Sequence, residues 1–201
     1  MSTRAGFFAA LGVLLLVAFA AVGAVVVTAG RAGPGADGLT RAQADEIVRA
    51  HNAWRRRAGV SSLRWAADLA ARAQARAEYL AAHGCVMKHG PLPEDVGENL
   101  YQAGPLRAEG SKDELFVVTA TQVVDTWGAE SADYDPVHGT CARNRQCGHY
   151  AQIVWPTTAQ VGCGMSVCPT LGQVWVCNYR PKGNIEILRL PRVRRCVAVQ
   201  L

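Results

Sequence analysis

Apolar positions follow three different rhythms along the chain. From Phe7 to Val27 they are nearly continuous, and no charge falls between Arg4 and Arg31. From Thr40 the spacing turns helical: Ala44, Ile47, Val48, His51, Trp54 and Ala58 share one face, and Gly59 stops the run. Thr40 and Gln43 stand at its start with the spacing of a capping box. A second helix is predicted from about Ala66 to His83, with Leu69, Ala70, Ala73, Ala77, Leu80 and Ala81 as its stripe and Gly84 as its end. The small residues in that stripe predict close packing on a sheet or another helix. Residues 85–112, with Gly90-Pro91-Leu92-Pro93 and Gly97, read as loop. A third helix is predicted from about Leu115, carrying Val117, Ala120, Thr121, Val124 and Trp127 at the same period. After Asp133-Tyr134-Asp135-Pro136 the pattern changes to short strands, and no internal repeat appears.

One local register follows from geometry. A hairpin turn centred on Thr170 sets Cys163 opposite Cys177, Val161 opposite Tyr179 and Met165 opposite Trp175. Directly opposed antiparallel residues bring their Cβ atoms within disulfide reach. The register therefore predicts a Cys163–Cys177 bridge inside an apolar face, with Cys168 on the opposite face.

Composition narrows the compartment. A chain of 201 residues suits one domain with short extensions. Residues 1–29 read as a signal peptide, with small Val27 and Ala29 marking a cleavage site near Ala29. The same run has about the length to span a bilayer, so an uncleaved signal anchor is the competing reading. Residues 30–39 form a Gly/Pro linker, 40–186 the domain and 187–201 a basic tail. All seven cysteines (Cys85, Cys141, Cys147, Cys163, Cys168, Cys177 and Cys196) lie beyond the apolar run, as expected for disulfides in an exported chain. No CxxC pair supports a zinc–thiolate cluster. The formal charge of +5 includes Arg189, Arg192, Arg194 and Arg195 in the tail. That end can lean on anionic lipid or cell wall, or be plainly solvated. Nothing points to nucleic acid.

Four ionisable residues form the candidate site: His89, Glu98, Glu130 and His149. Two imidazoles and two carboxylates suit zinc or another divalent cation. Residue by residue, blander readings hold. His89 reads as an exposed loop histidine, Glu98 as a turn cap, Glu130 as a helix-end surface residue, and His149 as a half-buried histidine beside Ile153-Val154-Trp155. No Gly-x-Ser-x-Gly elbow supports a serine nucleophile.

At this point two segments resemble known signatures. Gly148-His-Tyr-Ala-Gln-Ile-Val-Trp155 is similar to the first signature of the CAP superfamily (cysteine-rich secretory proteins, antigen 5 and plant pathogenesis-related proteins), and Val176-Cys-Asn-Tyr-Arg-Pro-Lys-Gly-Asn184 to the second. Gly97-Glu-Asn-Leu100, His51-Asn52, and Trp127 with Glu130 and Tyr134 match further landmarks in order. The resemblance covers about residues 40–186. It implies an α+β fold, a three-layer α-β-α sandwich with a small, mostly antiparallel sheet. It also implies a cleft in which His89, Glu98, Glu130 and His149 come together and can hold a divalent cation, zinc foremost. The stretch between His89 and Glu98 is longer than in plant-type members, which makes His83 a substitute for His89. The plant-type cysteine pattern pairs Cys85 with Cys168, Cys141 with Cys147 and Cys163 with Cys177, and leaves Cys196 free or intermolecular. The implied function is a monomeric, secreted, non-catalytic module that binds a sterol, another lipid or a cell-surface partner in defence or interaction. The alternative is a metal-dependent hydrolase in which His89 and His149 hold zinc and Glu98 or Glu130 serves as general base.

Overall fold

The computed structural model describes residues 38–105 and 112–184. The segment read as an export signal, most of the expected linker, the basic tail and Cys196 lie outside the described residues. Among those described, no helix is long and apolar enough to cross a membrane.

The first helix, α1 (Arg41–Arg57), starts on the expected capping box: the Thr40 side chain accepts from Gln43 N–H, and the Gln43 side chain accepts from Thr40 N–H. Gly59, just past its end, adopts φ +69°, the left-handed conformation that glycine enters without strain. Strand β1 (Arg64–Trp65) and helix α2 (Ala67–Ala82) follow, and then β2 (Gly97–Ala103). Helix α3 (Ala120–Ala129) runs into a 3-10 turn (Glu130–Asp133). A two-stranded ribbon, β3 (Tyr134–Asp135) with β4 (Thr140–Cys141), leads to the short α4 (Gly148–Ile153) and to β5 (Gln160–Val167) and β6 (Gln173–Arg180). The main sheet has the order β1-β5-β6-β2, antiparallel except for the β1–β5 pair.

The two sheet faces carry different chemistry. Val161, Cys163, Met165, Trp175, Cys177 and Tyr179 point toward α1 and α3, where they form the larger core with Ile47, Val123, Val124 and Trp127. Val174, Val176, Leu100 and Cys168 point toward α2. There the small stripe of α2 explains itself. A Cβ on Gly162 would lie 2.2 Å from Ala70 N, and one on Gly164 would lie 2.3 Å from Gln74 Cα. Helix and strand touch backbone to backbone, which gives the α-β-α layering its close spacing.

The hairpin register is the expected one, with Cys163 opposite Cys177, Val161 opposite Tyr179 and Met165 opposite Trp175. The bridges are Cys163–Cys177, Cys85–Cys168 and Cys141–Cys147. Three elements depart from the sequence reading. The third helix begins at Ala120, not Leu115, because Thr119 and Gln122 form a second capping box. Residues 97–103 form a strand where a loop was expected, paired residue by residue with β6. Residues 148–153 form a helix where strands were expected; six residues are too few to display a period.

A buried polar chain fastens α1 to the sheet. His51 is fully buried, with Nδ1 2.8 Å from Ile47 O and Nε2 2.9 Å from the Tyr179 hydroxyl. The carbonyl makes Nδ1–H the donor, so Nε2 accepts from the Tyr179 O–H. That hydroxyl in turn accepts from Asn99 Nδ2 at 3.3 Å. Burial, with Arg55⁺ nearby adding to it, lowers the His51 pKa to about 4, against the opposing pull of the Ile47 carbonyl. Arg55, also fully buried, donates to the carbonyls of Ser61, Ile153, Trp155 and Thr158.

Two outcomes follow. Gly164→Ala forces backbone against backbone, so urea unfolding will register a loss of about 1–3 kcal/mol at unchanged m-value; a loss below about 0.5 kcal/mol would mean that α2 is not seated on β5. Because His51 binds its proton more readily unfolded than folded, stability is fully present above pH 6.5 and declines as pH falls toward 4. Its share of that decline is about 3 kcal/mol. His51→Gln should flatten the stability–pH curve in this window by that amount, whatever its stability at pH 7.

Candidate functional site

His149 is the second residue of α4, a helix that has no side-chain cap of its own. Glu130, at the end of α3, supplies one from outside. One carboxylate oxygen accepts from His149 N–H at 2.9 Å and Tyr150 N–H at 3.2 Å. The other accepts from His149 Nδ1 at 2.7 Å. A single side chain thus meets two of the orphan donors of a helix start and orients the imidazole. Trp127, one turn earlier on α3, stacks against the His149 ring with centroids 6.0 Å apart and donates its indole N–H to Leu100 O. Asn99 of β2 donates to the His149 carbonyl at 3.1 Å.

His89 sits on the loop that the Cys85–Cys168 bridge ties to the end of β5. Its side chain is 61 % exposed, and Nδ1 lies 2.9 Å from a carboxylate oxygen of Glu98, whose side chain is 1 % exposed. His83, the alternative, is instead stacked on Tyr79 at the end of α2.

A cleft of about 740 Å³ runs along β2. His89, Glu130 and His149 line it together with Met87, Leu100, Tyr101 and Trp127. Glu98 does not line this cleft; it faces a separate pocket under α2 and reaches the cleft only through its hydrogen bond to His89. The four candidates are therefore arranged as two His–Glu pairs. Among the described residues, no group of three or more His, Cys, Asp or Glu is placed to hold a metal ion.

The pairing fixes the chemistry of each ring. A carboxylate accepts, so Nδ1 of both His89 and His149 carries the proton, and the neutral ring presents its lone pair at Nε2. Neither Nε2 has a hydrogen-bond partner among the described residues. This is the arrangement in which a carboxylate fixes the orientation of an imidazole. Glu130 has both oxygens engaged, in three hydrogen bonds, whereas Glu98 commits one oxygen to His89 and faces the pocket under α2 rather than the cleft.

Sequence reasoning did not single out Asn99 or Gln152. Gln152 Oε1 accepts from Gly183 N–H at 2.9 Å, and Asn184 Nδ2 donates to Gly148 O at 2.8 Å. The two signature segments thus clasp each other. The legible signal was polar residues at positions whose neighbours bury: Gln152 precedes Ile153, and Asn99 precedes Leu100.

The model of the cysteine-rich secretory protein family, CAP, matches residues 48–179. Pathogenesis-related protein 1A of Nicotiana tabacum is 41% identical over 140 residues, covering 69% of this chain and 75% of that protein. A pathogenesis-related protein of PR-1 type from Sambucus nigra is 38% identical over 139 residues, covering 69% of this chain and 76% of its own length. Among solved structures, venom allergen-like protein 4 of Schistosoma mansoni superposes with a TM-score of 0.55 at 23% identity, covering 72% of this chain and 90% of that one. NaASP2, solved with Zn2+, gives 0.58 at 21%, covering 79% and 89%. These two share the fold. With a family model that covers the first signature and reaches into the second, and relatives near 40% identity over most of their own length, the chain belongs to the cysteine-rich secretory protein (CAP) family.

Proposed function

We propose that this protein is an exported, non-catalytic binding module with a defence role, whose cleft takes a sterol or fatty acid beside a divalent cation. The observation that carries the reading is the pair of imidazoles with Nδ1 committed to a carboxylate and Nε2 left without a protein partner. His89 and His149 would hold the cation through Nε2, with Glu98 and Glu130 orienting them. Two neutral nitrogens suit zinc, and with so few protein donors the remaining positions fall to water or ligand. The bound cation would supply a positive charge that anchors a hydroxyl or carboxylate head group. NaASP2, which shares the fold, was solved with Zn2+.

Cleft volume and lining suit a lipid. The space falls within the usual range of about 300–1,000 Å³ for small-molecule sites, and Met87, Leu100, Tyr101 and Trp127 give it apolar walls. A hydrolase needs a carboxylate in the cleft free to take a proton from water; both oxygens of Glu130 are engaged, and Glu98 faces the separate pocket under α2. Export is supported by three disulfides and by the apolar N-terminal run. The defence role is supported by relatives named for pathogenesis.

Equilibrium dialysis against zinc should load the wild-type chain, with His89→Ala and His149→Ala each weakening binding by about tenfold or more. Undiminished loading in both variants would remove the cation site. Labelled cholesterol and palmitate should bind saturably; no saturable binding of either would remove the lipid reading.

A further inference from the structure

We propose that the pocket on the α2 side of the sheet is a second binding site, built for a small zwitterion carrying a primary ammonium and carboxylate groups, an acidic amino acid in particular. This goes beyond the reading of the cleft and does not depend on it. The pocket, of about 500 Å³, has Arg72, Arg76 and Tyr79 of α2 at its rim, Leu92 on one wall, and Glu98 and Asn178 on the sheet beneath.

Its polar groups are unsatisfied in a particular pattern. Asn178 is fully buried; its amide N–H donates to Gly97 O at 3.4 Å, but Oδ1 has no partner. A buried acceptor left unpaired costs about 1–3 kcal/mol, so such groups call for an occupant that donates. Glu98 supplies a second acceptor: one oxygen accepts from His89 Nδ1–H, and the other has no hydrogen bond among the described residues. At the rim the demand is reversed. Arg76 donates one Nη to Lys88 O, yet its buried Nε has no partner. No carboxylate pairs with Arg72 or Arg76 among the described residues.

Two acceptors below and two guanidinium groups above select the ligand. The floor wants N–H donors and favours positive charge, which a primary ammonium supplies. The rim wants carboxylates, which match the guanidinium fork. A bare phosphate or sulfate offers the floor no cation and sets like charge near Glu98. A metal ion would meet two arginines. The groups sum to one excess positive charge, the complement of two carboxylates and one ammonium. Because Glu98 also holds His89, an occupant here touches the group that orients a cleft imidazole.

Calorimetric titration of the full, disulfide-bonded chain with L-glutamate tests this. Glutamate should saturate one site, while glutarate and N-acetyl-L-glutamate, which lack the ammonium, bind at least about tenfold more weakly. Arg72→Gln should weaken glutamate, and Ala75→Trp, on an exposed position at the pocket, should abolish its binding; unchanged far-UV circular dichroism shows both variants folded. Three results overturn the proposal: no saturable glutamate binding up to about 10 mM, glutarate equal to glutamate, or binding that survives Ala75→Trp in the folded variant.

Discussion

The cleft depends on the Glu130 carboxylate. Helix α4 has six residues, far below the length at which a helix holds itself together in water, so its shape comes from contacts at its ends. Glu130 holds the start, meeting two backbone N–H groups and the His149 ring together. Arg55 holds the finish, donating to Ile153 O and Trp155 O. An acid at the N-terminus and a cation at the C-terminus both follow the helix dipole. Charge-assisted bonds of this kind contribute about 1.5–3 kcal/mol each, enough to fix a turn that has little intrinsic preference.

Both clamps are anchored in turn by buried groups of α1 and α3. Burial lowers the Arg55 pKa to about 10, which leaves it charged at neutral pH; four carbonyls take the place of water around it. His51, three residues beyond Val48 on the same helix, stays neutral for the opposite reason: its partners, a carbonyl and a hydroxyl, need no charge. From His51 the chain of hydrogen bonds runs through Tyr179 to Asn99, which also holds the His149 carbonyl. The core and the cleft are therefore one connected structure, and a change at α1 reaches His149 through two routes.

What could be read from the sequence was what is local. The capping box at Thr40, the small stripe of α2 and the Cys163–Cys177 register each depend on residues close in the chain or on one turn. What escaped was held from afar. Strand β2 contains Glu98, Asn99 and Gln102, poor strand formers that persist because β6 pairs with every one of its residues. Helix α4 escaped for the same reason, since its caps lie 19 residues before His149 and 98 before Ile153. The late start of α3 was legible in Thr119 and Gln122 and was obscured by the apolar run Phe116-Val117-Val118, of which only Val118 is buried. At the site, residue chemistry alone left each of the four candidates with a bland reading; resemblance named them as a group, and geometry divided the group into two pairs.

That division makes the carboxylates orienting groups and leaves the two Nε2 atoms as the donors on which the proposed cation site rests. Its most direct test is the tautomer of each ring. In ¹⁵N-labelled protein at a pH where the imidazoles are neutral, long-range ¹H–¹⁵N correlation should find Nδ1 protonated and Nε2 bare in both His89 and His149. Added zinc should then shift the Nε2 resonances. Rings protonated at Nε2, the form prevalent in free histidine, would contradict the account.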